Sequence, residues 1–395
     1  MAAITFKCPS CGGELLFEPS KQKYVCPYCA SEFTQQQLDE LTPASAQEHQ
    51  EEPAQASPVG DLAGAGQAGG SGQDAAAQAD GSGQDGAAQA GESWQDSAAP
   101  GSAGQGSAVV YSCPSCGAEI VTDETTAATF CYYCHNPVVL EGRLSGDFLP
   151  DQVIPFQISR DQAVEKFLQF VGTKKYVPKA FFNKEQIDKM TGVYYPYWVY
   201  DTDLSAGIDA EGRKIRVWRM GETEYTETSI YQVERAGTAS FRNLTRNALR
   251  IANGEWVEKV QPYRLNEAKK FTMGYLSGFQ AEKRDMEKKE FSDGLHKETT
   301  QYAQRLLKET ASGYQSLQVR SSSAVPVKEN WRYMLLPVWV LTYRSLAGKM
   351  YYYDMNGQTG TVAGELPLDS KKLAIQSLLT GLIVFALVLA GGYFL

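Results

Sequence analysis

The eight cysteines of this 395-residue chain stand at positions 8, 11, 26, 29, 113, 116, 131 and 134, each in a C-x2-C pair with none left over. Fourteen residues separate Cys11 from Cys26 and fourteen separate Cys116 from Cys131, so the pattern C-x2-C-x14-C-x2-C occurs twice. A two-residue gap lets a tight turn aim two sulfurs at one ion about 2.3 Å away, and a returning hairpin supplies the other two. In “CPSCGGELLF” and “CPSCGAEIV” a shared Pro fixes φ inside the turn, and the Gly after the second Cys tolerates a left-handed backbone. Cys8, Cys11, Cys26 and Cys29 are therefore expected to hold one structural Zn2+ ion, and Cys113, Cys116, Cys131 and Cys134 a second. Two small β zinc ribbons follow, over 1–42 and 110–145, each closed by four protein ligands and offering no open position for catalysis.

The second ribbon contains “CYYCH”, which also matches the pattern of covalent haem attachment. The residue equivalent to His135 in the first ribbon is Ala30, so the repeat does not require the histidine. Haem attachment also needs export, and the first residues show no charged n-region or apolar h-region. A thioredoxin-like redox pair is expected beside a βαβ unit, and none reads near these cysteines.

Between the ribbons the composition turns to Ala, Gly, Gln, Ser and Asp, with “SGQDAAAQA” at 71 followed by “SGQDGAAQA” at 82. Such a segment buries too little apolar surface to offset its ordering entropy, so 43–109 is expected to be a disordered acidic linker that tethers the first ribbon. Two G-x-G-x-x-G matches fall inside it, but neither follows a strand or opens a helix, and both are attributed to composition. The net charge of −9 belongs to the front of the chain: 43–112 carries nine acidic residues and no Lys or Arg, whereas 146–395 is mildly basic.

From Leu373 to Leu395 the chain runs without a charge, long enough as a helix to cross a hydrocarbon core of about 30 Å. Lys371 and Lys372 precede it, so a transmembrane helix over 371–395 is expected, with the bulk of the chain cytoplasmic. The expected molecule is single-pass and tail-anchored.

Residues 146–370 read as an α+β domain. “SRDQAVEKFLQFVG” opens on a capping box, Ser159 with Gln162, and carries apolar residues at helical spacing over 160–171. A second helix is expected over about 292–311. “VYYPYWVYD” at 193–201 and “YMLLPVWVLTYR” at 333–344 lack alternation, so strands buried on both faces are expected, each Pro at a strand start or bulge. A hairpin over “GKMYYYDMNGQTGTVAGEL” is expected to turn at Asn356-Gly357 in a type I′ geometry. The Trp and Tyr residues are expected to serve packing.

No phosphate loop, serine nucleophile elbow or H-E-x-x-H motif is present, and His296 reads as a solvated surface residue, so an enzyme is not expected. Nucleic-acid binding is the alternative from another class. Against it, both ribbons are net acidic, and only Lys7, Lys21 and Lys23, near Phe6 and Tyr24, offer a basic patch.

The segments “CPSCGGEL”, “CPYC”, “GVYYPYWVYD”, “SGFQAEKRDM”, “LLPVWVLTYR” and “YYYDMNGQTGTVAGELP” together resemble the bacterial TFIIB-type zinc-ribbon membrane proteins. That family is encoded beside phage-shock protein A and SPFH-domain proteins and is sometimes labelled as the helicase PriA because of its ribbon. The resemblance covers the first ribbon and most of 146–370, and supports Cys8, Cys11, Cys26 and Cys29 as zinc ligands; the second set rests mainly on spacing. It implies a non-enzymatic envelope-stress adaptor that recruits an SPFH-domain or phage-shock partner to the membrane.

Overall fold

A computed structural model describes residues 3–41, 109–140, 142–250, 254–345 and 348–393. The expected linker therefore lies outside the described residues, save Val109. Residues 1–38 and 101–395 form one compact unit; of the other, 39–100, only 39–41 are described. Each cysteine set folds as a small four-cysteine module, and the rest is a mixed α/β domain ending in an apolar helix.

Module 1 comprises β1 (Ala3–Ile4), β2 (Leu16–Glu18), β3 (Lys23–Val25), β4 (Glu32–Phe33) and α1 (Gln35–Leu41). Module 2 comprises β5 (Val109–Ser112), β6 (Glu119–Thr122), β7 (Thr126–Phe130) and β8 (Pro137–Leu140). The body then runs β9 (Gln152–Val153), α2 (Arg160–Gly172), α3 (Lys184–Ile187), β10 (Thr191–Met220), β11 (Thr223–Asn247), α4 (Gly254–Lys259), β12 (Lys269–Lys270) and β13 (Gln280–Glu282). It closes with α5 (Lys288–Glu309), β14 (Ser316–Arg344), β15 (Met350–Asn356), β16 (Val362–Gly364) and α6 (Ser370–Tyr393).

One sheet runs through all three parts in the order β1-β8-β7-β13-β10-β14-β15-β16, with β11 also on β10, and β9, carrying β12, on β14. Module 1 enters it by pairing Ala3 with Leu140, and module 2 by pairing Ala128 with Ala281. The first module, expected on a tether, is instead packed against the body. The Phe17 amide donates to the Ser277 carbonyl at 3.0 Å, and Gln22 Nε2 donates to the Phe156 carbonyl at 2.6 Å. Phe17 meets Tyr275 edge-on at 5.3 Å, and Tyr24 lies so close over Gly274 that a Cβ there would fall 2.7 Å from the phenol oxygen.

The two apolar segments are neighbours at the centre of the sheet, Tyr194 opposite Pro337 and Pro196 opposite Leu335. Both are buried on both faces, as their unbroken apolar runs require. The prolines sit at neither a strand start nor a bulge. Pro196 falls where β10 exchanges β13, paired through Tyr194, for β11, paired from Tyr197. Pro337 falls where β14 exchanges β9, paired through Leu335, for β15, paired from Val338. A residue with no N–H to give is tolerated where a strand changes partner. Around these strands Phe156 stacks on Phe279 at 4.2 Å and meets Tyr194 and Trp339 edge-on, while Trp339 Nε1 donates to the Ile158 carbonyl. The aromatic residues here pack the core, as expected.

Helix α2 carries the expected capping box: the Gln162 amide donates to Ser159 Oγ and the Ser159 amide to Gln162 Oε1. Its Ala163, Phe167 and Val171 are buried, whereas Leu168 is exposed. Helix α5 starts four residues earlier than expected, at Lys288. The β15–β16 hairpin forms, but its turn is a four-residue loop rather than a two-residue type I′ turn. Asn356 pairs with Thr361 through the Asn356 amide, the left-handed residue is Gly360 (φ +80°), and Asn356 Oδ1 accepts from the amides of Gln358 and Thr359. Gly357 serves a different end, since Phe156 packs where its Cβ would be.

Strands β10, β11 and β14 continue past the body as a three-stranded arm. From 202 to 212 burial on β10 alternates, because one face is covered: Leu204 and Ala206 meet Ala303 of α5, and Ala210 meets Ala311 just past its end. Cover ends at Gly212, where Tyr314 lies against the backbone, and β14 ends its pairing at Ser316 opposite Arg213. Every residue of β10 from 213 to 220 is exposed. Strands of 25 to 30 residues leave no clear mark in the residues that form them, since their outer parts are polar and alternate weakly.

Gly274→Val is expected to destabilise the module 1 contact by roughly 1–3 kcal/mol, read as faster amide exchange over 3–38 with the β10–β14 core unchanged. A second expectation concerns Glu282, whose Oε2 is buried without a hydrogen-bond partner where β13 meets module 2. Burial pushes this carboxyl up to about 8, reinforced by Asp123 and opposed by Thr125 and Arg143. The folded chain thus holds a proton that the unfolded chain loses near 4.3, so stability falls as pH rises from there to about 8. Glu282→Gln is expected to gain stability over wild type progressively across that interval in denaturant titrations; parallel profiles would refute this.

Candidate metal centres

Each four-cysteine centre is built from two turns of one kind. In all four turns, the residue after the second cysteine donates its amide to the carbonyl of the first: Gly12 to Cys8, Ala30 to Cys26, Gly117 to Cys113 and His135 to Cys131, at 2.8–2.9 Å. All four donors have left-handed backbones, with φ of +72°, +56°, +75° and +59° respectively. His135 is thus a turn residue in the place that Gly12 and Gly117 fill more easily. Its conformation, not its ring, is what the centre uses.

The turns bring each set of four sulfurs within 4.8 Å of one another. Cys8 and Cys29 are 3.6 Å apart and Cys11 and Cys26 3.5 Å; Cys113 and Cys134, and Cys116 and Cys131, are each 3.7 Å apart. A disulfide needs about 2.05 Å, so these are four separate thiols. A tetrahedron of sulfurs each about 2.3 Å from a central ion has edges of about 3.8 Å. The observed edges fit that geometry in both modules. All eight cysteines expected from spacing converge, and each centre has two sulfur-bearing residues buried and two more open.

Electrostatics divide the thiols. In module 1, hydrogen bonds from Ser31 pull Cys29 down to about 6, while Cys11, whose thiolate the Gly13 amide favours, is pushed up to about 12 by hydrogen bonding with Cys29 and Cys26. In module 2, burial pushes Cys134 up to about 12 against the Asn136 amide, whereas Cys131, which burial alone would raise, is drawn down to about 7 by the Cys134 and Tyr133 amides. Each cluster therefore presents at least one ready thiolate and holds protons that a bound cation would displace.

The centres adjoin through Glu14, a residue to which the cysteine spacing does not point. Its buried carboxylate accepts from Ser115 Oγ at 2.5 Å and Asn136 Nδ2 at 2.8 Å, and Lys7 Nζ lies 3.6 Å away. One side chain of module 1 thereby satisfies two polar groups of module 2. The only signal was an acid placed directly before the apolar run “LLF”. Lys21 and Lys23 both pair with the one carboxylate of Glu32, and Tyr24 is buried. His296 is not simply solvated: its Nε2 lies 2.5 Å from Glu329 Oε1, which also accepts from Tyr200 at 2.5 Å. Glu222 and Glu224 stand at the arm tip, Glu224 opposite Arg219.

Helix α6 is long and apolar enough to cross a membrane, and none of that stretch is buried inside the structure. Comparison with known proteins finds 30% identity over 236 residues with YdjG, an uncharacterized protein of Bacillus subtilis (strain 168), covering 60% of this chain and 69% of YdjG. No family model and no solved structure matches.

The purified chain is expected to carry two equivalents of a thiophilic divalent metal by elemental analysis. Cys8→Ser and Cys113→Ser should each remove one equivalent, while His135→Gly should keep both; loss of metal in His135→Gly would make that histidine a ligand.

Proposed function

Given that this chain belongs to the same family as YdjG, we propose that it is a membrane-anchored, non-enzymatic zinc-ribbon adaptor that holds a cytoplasmic protein partner at the bacterial membrane. The observation that carries this reading is the arm. Its exposed end bears apolar residues on both faces: Trp218, Met220, Tyr225 and Tyr231 on one, Ile215, Val217 and Ile230 on the other, as the register and two-residue period place them. Trp218 and Tyr225 stack at 5.7 Å, a preformed aromatic platform. Apolar side chains left exposed together at one strand end favour a contact site.

Reach supports the same reading. Residues 176–177 hold the base of α6, where the Asp369 amide donates to the Tyr176 carbonyl at 2.7 Å. The same segment leads into Phe181, edge-on to Tyr343, and to Gln186, which donates to the Thr342 carbonyl. The α6 base is thus tied to the end of the sheet where β10 begins, opposite Val340. From there β10 runs about 95 Å to Met220 at roughly 3.3 Å per residue. An anchor at one end and an adhesive tip at the other is the physical requirement of an adaptor.

In this reading the metal is zinc, which favours closed four-thiolate sites and has no redox chemistry of its own. The ion would be held by Cys8, Cys11, Cys26 and Cys29 in module 1 and by Cys113, Cys116, Cys131 and Cys134 in module 2. It would fix the turns, and the sheet that passes through both modules would inherit that rigidity. Lys371 and Lys372 favour a cytoplasmic position for the body. The resemblance to TFIIB-type zinc-ribbon membrane proteins points to an SPFH-domain or phage-shock partner.

The test is cross-linked co-purification from native membranes, with and without nuclease, comparing wild type with a Trp218→Ser, Tyr225→Ser, Ile230→Ser variant. The expected result is nuclease-independent recovery of a membrane-organising SPFH-domain or phage-shock protein, reduced at least tenfold in the variant. Recovery only of nuclease-sensitive nucleoprotein would overturn the reading in favour of a nucleic-acid-binding ribbon protein.

A further inference from the structure

The segment 172–184, “GTKKYVPKAFFNK”, carries Lys174, Lys175, Lys179 and Lys184 and no acidic residue. All four lysines are exposed. Among the described residues none of them has a carboxylate within ion-pair distance; Lys174 and Lys175 instead lie over the rings of Phe170 and Tyr176, at 5.3 and 5.8 Å. The neighbouring acids are otherwise engaged or lie outside the run: Asp369 faces Lys372 at 3.6 Å, Asp188 faces Arg160, and Glu185 follows the last lysine.

This basic segment is fixed to the base of α6. Besides the Asp369 amide on Tyr176, Lys372 Nζ donates to the Val177 carbonyl at 3.2 Å. Buried Val177 and Phe181 hold the segment to the body, Phe181 against Phe167. Lys174 and Lys175 thereby flank the point where α6 is held, Lys371 and Lys372 open the helix itself, and Lys179 and Lys184 follow on the same exposed segment.

A second observation lies on α6 itself. Tyr176 and the helix residues Gln376, Ser377, Thr380, Gly381 and Val384 line a shallow groove of about 500 Å³. Thr380 Oγ1 donates to the Gln376 carbonyl, but among the described residues the side chains of Gln376 and Ser377 have no protein partner. At 1.5 Å per residue these two lie roughly 9–10 Å along the helix from Ser370. That is close to the depth of the headgroup layer, which occupies about 5–8 Å on each side of the hydrocarbon. Unpartnered polar side chains at that level call for polar atoms from the lipid itself.

We propose that segment 172–184 and the first turns of α6 form a binding collar for anionic phospholipid headgroups, the lysines taking the phosphates and Gln376 and Ser377 the glycerol oxygens below them. The inference rests on α6 being a membrane anchor. Its consequence is that the body is held at a fixed height and tilt by lipid charge, not by a flexible stalk.

The full chain would be reconstituted in nanodiscs of phosphatidylcholine alone or with phosphatidylglycerol, and amide exchange followed over 172–184. At least tenfold slower exchange with phosphatidylglycerol is expected, lost when the four lysines are changed to Gln and kept when they are changed to Arg. Equal exchange in both lipids, with the chain inserted in both, would overturn the collar and leave the anchor standing. A chain that enters neither nanodisc would overturn the anchor and the collar with it. Protection reproduced in phosphatidylcholine by added inorganic phosphate would also overturn the proposal, replacing the lipid site with a free-anion site.

Discussion

The antiparallel ladder between β10 and β14, from Thr191 opposite Val340 to Arg213 opposite Ser316, is the constraint to which every other part of the described chain is attached. Its inner half is buried on both faces and holds the aromatic cluster around Phe156; its outer half becomes the arm. Module 2 reaches the ladder through β13, and module 1 through β8 and the Tyr275 loop. The ladder shifts register twice, at Asp203/Leu204 and at Asp209/Ala210, and between and beyond these shifts α5 and the residues that follow it cover one face of β10 over the small residues Ala206, Ala210 and Gly212. Register in a half-buried strand is strongly specified, since a one-residue slip would turn the apolar set outward.

Parts of this were legible from residues alone. The two four-cysteine clusters were readable because tetrahedral coordination would impose a spacing that composition does not imitate, and α2 because Ser159 and Gln162 satisfy each other's amides locally. The buried strands were readable from apolar runs that tolerate water on neither face. What was not legible depends on contacts between distant residues. Nothing near Pro196 or Pro337 in sequence says that each lies at a change of strand partner. Asn356-Gly357 has the chemistry of a type I′ turn, yet Phe156 needs the space over Gly357 and the loop reverses at Gly360 instead. The arm was hidden because its tip has the mixed polarity of an ordinary exposed hairpin.

The two four-cysteine modules are joined by the β1–β8 pairing, by Ala3 in the core of module 2 and by one buried side chain. Glu14 alone meets Ser115, Asn136 and Lys7. A buried carboxylate without such partners would be strongly unfavourable, so the pairing also penalises any arrangement in which the modules separate. The two sulfur clusters are consequently parts of one framework, although Cys8 and Cys113 stand far apart along the chain.

The length of β10 has a mechanical corollary. A strand of some 95 Å that pivots at its buried end acts as a lever, and a tilt of about 5° at the base displaces the tip by about 8 Å by simple geometry. That displacement is close to the spacing between two strands twice removed in a sheet. Movements at the foot too small to break a hydrogen bond there would displace Trp218 and Tyr225 by a distance of that order, so the stiffness of the base sets how well the tip is placed.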